Sequence, residues 1–128
     1  TATAARLADA VSDHPAVRAV RYPHRTDHPH YDIHTRQMSS GGTLVALSLN
    51  GARSDAFRVL NALTLFDISN NLGDAKSLAC HPASTTHRTL SPEERDSIGL
   101  DESWVRLSIG LEDPLDLMDD LLTALDAL

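Results

Sequence analysis

The stretch from Asn70 to His87 reads Asn-Asn-Leu-Gly-Asp-Ala-Lys-Ser-Leu-Ala-Cys-His-Pro-Ala-Ser-Thr-Thr-His and is dense in small polar side chains. Asn, Gly, Asp, Ser and Pro favour turns and local side chain–backbone hydrogen bonds over long regular elements, so a loop is expected there. Loops held by a rigid scaffold are where binding groups concentrate. Composition alone allows a plain surface connection as well. Asn70, Asn71, Ser77, Thr85 and Thr86 are short donors or acceptors, and a second polar island follows at Arg106 and Ser108. Arg106 falls between apolar residues in a strand-like run, which would hold it rigidly. Its guanidinium suits a carboxylate or phosphate gripped by two parallel hydrogen bonds. An ion pair with Glu112 or a nearby aspartate is the competing use.

Other chemistries are less well supplied. His14, His24, His28, His30 and His34 crowd the first third of the chain, and His30 and His34 would share one face of a helix. No Cys or Glu stands at ligand spacing beside them, so a solvated loop with a short helix is expected rather than a metal site. Gly41-Gly42 lacks the lysine and spacing of a phosphate-binding loop, and no Gly-x-Gly-x-x-Gly follows a strand. Ser, His and Asp occur without a nucleophile-elbow pattern. Cys80 is the only cysteine, which excludes an internal disulfide and favours an inert, partly buried thiol in a reducing cytoplasm. Glu93-Glu94 and the acids after Glu112 read as helix-start and solvated-face charges.

The elements that must position these groups follow from periodicity. A length of 128 residues, 41% hydrophobic, gives one domain with its own core, built on Leu, Val, Ile and Ala because aromatics are 4%. A net charge of -7 weighs against a nucleic-acid surface, and no apolar run approaches a membrane span. Thr1 to Asp13 reads as a helix burying Ala4, Leu7, Ala8 and Val11, ended by His14-Pro15. It opens without a capping pattern, as expected of a piece of something longer. Ala16 to Tyr22 is strand-like, and Thr43 to Leu49 is the clearest strand. A helix capped by Ser54 or Asp55 reaches about Leu63, burying Ala56, Val59, Leu60 and Leu63. Leu65 to Ile68 is a short apolar run. Ser91-Pro92-Glu93-Glu94 starts a short helix with a capping box, ended by Gly99. In the strand Trp104 to Ile109, Val105, Leu107 and Ile109 face one way, with Arg106 and Ser108 facing the other. Asp113-Pro114 caps a last helix whose expected stripe is Leu115, Met118, Leu122 and Leu125. The fold class is α+β: a small, mostly antiparallel sheet of about four strands with helices on one face.

Three linked blocks then carry a resemblance. Gly-Gly-Thr-Leu-Val-Ala-Leu-Ser-Leu, then Asn-Leu-Gly-Asp-Ala-Lys-Ser-Leu with His-Pro-Ala-Ser-Thr-Thr-His, and Val-Arg-Leu-Ser-Ile-Gly-Leu-Glu-Asp occur in this order. They are similar to blocks of the cystathionine γ-synthase-like enzymes, the pyridoxal-phosphate-dependent enzymes of cysteine and methionine metabolism. The resemblance spans nearly the whole chain and matches only the family's C-terminal domain, so residues 1–128 are expected to be that domain, with the catalytic large domain absent. The wording from Asp67 to Leu78 looks most like the O-succinylhomoserine sulfhydrylase branch.

The resemblance implies that Arg106 grips the substrate α-carboxylate, that Asn71 meets the same group, and that Thr86 and Leu72 line the pocket. Asn70 sits where lyase-leaning relatives often carry an acid, so its neutrality leans towards γ-replacement. The implied reaction forms homocysteine from O-succinylhomoserine and sulfide on pyridoxal phosphate, in a homotetramer. Lys76, the chain's one lysine, matches no cofactor lysine and reads as an ordinary loop cation. No catalytic or cofactor-binding residue is therefore expected in this chain, which by itself should be inactive. The alternatives are a cystathionine γ-synthase or γ-lyase domain, or a free-standing module that binds a small carboxylate or a partner protein.

Overall fold

A computed structural model describes residues 1–128. Its elements run α1 (Ala2–Ser12), β1 (Val17–Arg21), α2 (Tyr31–Gln37), β2 (Leu44–Leu49), α3 (Arg53–Ala62), β3 (Asp67–Ile68), β4 (Leu78–Cys80), a 3-10 turn (Pro82–Ser84), α4 (Pro92–Ser97), β5 (Trp104–Ser108) and α5 (Pro114–Asp126). The strands form one sheet in the order β1-β2-β5-β4-β3, antiparallel except for the short β3–β4 pair. The sheet therefore has five strands where about four are expected, because β4 and the 3-10 turn lie inside the polar segment. Leu78, Ala79 and Cys80 are all buried, so this strand shows no alternation to betray it.

One face of the sheet carries Val45, Leu47, Leu49, Val105 and Leu107, all essentially inaccessible to solvent, against α1, α3 and α5. Full burial of a side chain of this size stabilises by about 1.5–3 kcal/mol. Helix α1 buries Ala4, Leu7, Ala8 and Val11, and α3 buries Ala56, Val59 and Leu60, followed by Leu63 just beyond it, as the periodicity predicts. Strand β1 buries Val17 and Val20, three residues apart and so out of step with simple alternation. A bulge between Val17 and Ala19 reconciles them, because the extra residue returns both valines to the core face.

The helix starts divide. Ser91 caps α4 as expected, accepting from the Glu94 amide while the Glu94 carboxylate accepts from the Ser91 amide. Asp113 caps α5. At α3 the cap is Ala52, not Ser54 or Asp55; Asp55 contributes from inside the helix by accepting from the Ala52 amide.

Helix α5 departs from the expected stripe. It buries Leu117, Leu121, Ala124 and Leu125, leaving Leu115 63% exposed and Met118 and Leu122 half-buried. The helix is so rich in leucine that two neighbouring stripes satisfy the same spacing. The observed one is turned by a little under one residue's angular step, about 100°. That turn brings Asp120 to the edge of the interface, where its carboxylate accepts from the Thr64 and Leu65 amides and the Thr64 hydroxyl. Asp120 is thus a structural acceptor rather than a solvated-face charge.

Candidate functional site

The sheet face turned away from α1, α3 and α5 holds the polar groups. Register places Arg21 opposite Ala46, Ala46 opposite Arg106, and Cys80 opposite Arg106, so one cross-strand row reads Arg21, Ala46, Arg106, Cys80. Because Val105 and Leu107 must enter the core, Arg106 between them must point outward. It is half-buried, and Nη2 donates to the carbonyls of Asn70 (2.8 Å) and Asn71 (3.2 Å). Nε and Nη1 make no hydrogen bond within the chain, and no carboxylate pairs with the guanidinium. The ion pair with Glu112 does not form, because Glu112 is engaged by the Ser77 amide and hydroxyl at 2.7 and 2.8 Å.

The segment from Asn70 to Ser77 is docked on β5 by short contacts that the sequence supplies locally. Gly73 turns at φ +76°, a conformation that favours glycine, and its amide donates to the Ser108 hydroxyl (2.9 Å). Ser77 joins the far end, its hydroxyl accepting from the Gly110 amide (2.9 Å) and donating to Glu112. Gly110 is needed there because a Cβ would stand 2.4 Å from the Ala75 carbonyl oxygen. Burial pushes the Glu112 carboxyl up, but the Ser77 amide, its own amide, the Ser77 hydroxyl and the Lys76 charge outweigh it. Glu112 is therefore held below the usual carboxylate range.

Beside Arg106 opens a hollow of about 410 Å³ whose walls include Arg21, Ala46, Thr86, Ile98, Trp104 and Arg106. Arg106 and Thr86 therefore share one cavity. Thr86 is exposed, with its hydroxyl 2.8 Å from His87 Nδ1. Asn70, Asn71 and Leu72 form the loop crest next to the cavity and are joined to it through the two carbonyls that Arg106 holds. Their side chains are exposed, Leu72 at 56%, and the Asn71 amide is taken by the Ser69 hydroxyl. A roomier hollow of about 490 Å³ lies near Arg18 and Arg95, but its cations are already paired, Arg18 with Asp101 and Arg95 with Glu102. Arg21, Ile98 and Trp104 are lining groups that sequence reasoning missed. The bulge in β1 hides the alternation that would have put Arg21 on the same face as Arg106.

The remaining candidates have other places. Cys80 is buried in the row beside Arg106; burial pushes its thiol up, against the opposing influence of Arg106 and Thr85. His28 packs against His34 and His30 with ring centroids 4.8 and 6.1 Å apart, and no group of three or more His, Cys, Asp or Glu is arranged to hold a metal ion. His81, buried and not singled out from the sequence, is a structural group, with Nδ1 2.8 Å from the Ser84 hydroxyl and Nε2 2.9 Å from the Glu102 carbonyl. Lys76 is 53% exposed, with Nζ 2.7 Å from Asp67, and lines a separate depression with Leu65 and Leu111. An amine that anchors pyridoxal phosphate needs a lowered pKa in a sheltered site. Lys76 is instead an exposed ammonium paired with a carboxylate, outside the cavity beside Arg106, and lacks that shelter.

The family model described as Cys/Met metabolism PLP-dependent enzyme matches residues 1–126. An O-succinylhomoserine sulfhydrylase of Mycobacterium tuberculosis is 53% identical over 128 residues, covering 97% of this chain and 32% of that protein. An L-methionine gamma-lyase of Pseudomonas putida is 44% identical over 126 residues, covering 98% of this chain and 32% of that protein. Among solved structures, a cystathione gamma lyase from Micromonospora echinospora superposes with a TM-score of 0.92 at 42% identity, over 98% of this chain and 32% of that one. The chain thus spans about a third of the length of these relatives. No helix in it is long and apolar enough to cross a membrane. On the match over residues 1–126, the chain belongs to the pyridoxal-phosphate-dependent enzymes of cysteine and methionine metabolism.

Proposed function

We propose that this chain is the C-terminal, substrate-carboxylate-binding domain of an O-succinylhomoserine sulfhydrylase, the enzyme that makes homocysteine from O-succinylhomoserine and sulfide. The observation that carries the reading is Arg106: half-buried in mid-strand, free of any carboxylate partner, with Nε and Nη1 left over beside a cavity that it shares with Thr86. A guanidinium fixed in this way matches a planar carboxylate by two parallel hydrogen bonds. Holding Arg106 through the carbonyls of Asn70 and Asn71 couples its aim to the loop crest, so Asn71 and Leu72 border the same substrate and Asn70 keeps the site free of a competing negative charge. The cofactor's anchoring lysine belongs to a part of the protein outside these residues, and this chain's share of the work is to bind and orient the amino acid.

The choice of the sulfhydrylase over its relatives rests on the 53% identity to the mycobacterial enzyme. The 44% identity to a methionine gamma-lyase defines the competing activity. The enzyme containing this chain should release homocysteine from O-succinylhomoserine plus sulfide at least about tenfold more efficiently than it releases methanethiol from methionine. Methanethiol as the preferred product would assign it to the lyases instead.

A further inference from the structure

The cavity beside Arg106 holds a second cation that the reading above does not use. Arg21 stands in the same cross-strand row, two strands away across Ala46, so the two Cα atoms are about 10 Å apart. The bulge in β1 ends before this row, leaving Arg21 on the open face with Arg106. Arg21 is exposed and makes no ion pair or hydrogen bond within the chain. Asp27, which feels its charge, is gripped on both oxygens by Arg25 at 3.1 and 3.2 Å. Between the two arginines the floor is Ala46, too small to fill the space, and Ile98 and Trp104 give apolar walls.

Two unpaired guanidinium groups at the ends of an apolar-walled trough fit an elongated dianion better than a single carboxylate. O-succinylhomoserine is such a molecule. Its α-carboxylate and the terminal carboxylate of its succinyl group lie about 10 Å apart when extended, from ordinary single-bond lengths. We infer that Arg21 is a specificity-determining residue that binds the distal carboxylate of the succinyl ester while Arg106 binds the α-carboxylate. This inference rests on the sulfhydrylase reading, and it supplies a reason for preferring the succinyl ester over the acetyl ester, which has no distal charge.

The test uses the whole enzyme and two substrates, O-succinylhomoserine and O-acetylhomoserine, with sulfide. KM is measured for each ester, or an inhibition constant where the acetyl ester binds without turning over. Arg21→Gln should raise the KM for O-succinylhomoserine about tenfold or more and leave the acetyl ester within about twofold of its original value. Arg21→Lys, which keeps the charge but not the fork, should recover part of the loss. A merely structural role for Arg21 would weaken both esters together. Equal loss on both, or none on either, in an enzyme that makes homocysteine from the succinyl ester overturns this inference alone. A wild-type enzyme that makes no homocysteine from O-succinylhomoserine overturns the functional reading and this inference with it.

Discussion

Arg106, a half-buried cation, combines three properties. Strand alternation fixes its stem, two backbone carbonyls fix one nitrogen, and no acid neutralises it. On the proposed reading, Arg106→Lys in the whole enzyme keeps the charge but loses a two-point grip on the carboxylate, so it should raise the KM for O-succinylhomoserine by about tenfold to a hundredfold. Because the proposed contact would also align the reacting carbons, kcat should fall as well. The initial-rate kinetics of that variant check both, and unchanged constants would remove Arg106 from the site. The polar segment and the outward-facing Arg106 were legible from residue type and order, whereas the roles of Asn70, Asn71 and Thr86 came only from the family resemblance. Arg21 was not legible, because a residue's face in a strand depends on register, and one extra residue in β1 reverses the count.

At the scale of elements, the site is a loop clamped to a strand. The segment from Asn70 to Ser77 lies along β5 through Arg106, Ser108 and Glu112, and Glu112 holds the end of the segment that runs into β4. Glu112 binds its proton more weakly when folded than when unfolded, so its contribution is fully present above the unfolded value, about pH 4.3, and is lost as pH falls through the lower folded value. Glu112→Gln should therefore cost about 1 kcal/mol at pH 7, below the usual range for a charge-assisted bond because the side chain is only partly buried. Thermal unfolding of both proteins from pH 7 down to pH 3 should show the gap closing below about pH 4. A gap constant with pH would mean that the carboxylate charge plays no part. The same scale explains what periodicity could and could not tell. The core faces of α1 and α3 stood out because apolar residues there are few and evenly spaced. In α5 seven apolar residues from Leu115 to Leu125 offered two stripes, and the observed one is accompanied by Asp120 reaching the amides of Thr64 and Leu65, a contact between distant parts of the chain. Strand β4 was hidden for a related reason: at three residues, buried on both faces, it is too short to show a period.

The whole molecule is a sandwich with one face of its sheet sealed by α1, α3 and α5 and the other left with arginines, an open hollow and a clamped loop. Leu111 and Leu115, 85% and 63% exposed, flank the start of α5 where a monomeric surface would ordinarily be polar. On the proposed reading, other residues of the whole enzyme meet these surfaces. The central claim is a division of labour: these residues bind the amino acid, and the amine that holds the cofactor lies elsewhere in the protein. It is tested most directly by reducing the pyridoxal-phosphate-loaded whole enzyme with borohydride and mapping the modified peptide by mass spectrometry. The account predicts one pyridoxyl-lysine, in a peptide outside these 128 residues, with Lys76 unmodified. A stoichiometric pyridoxyl group on Lys76 would contradict it.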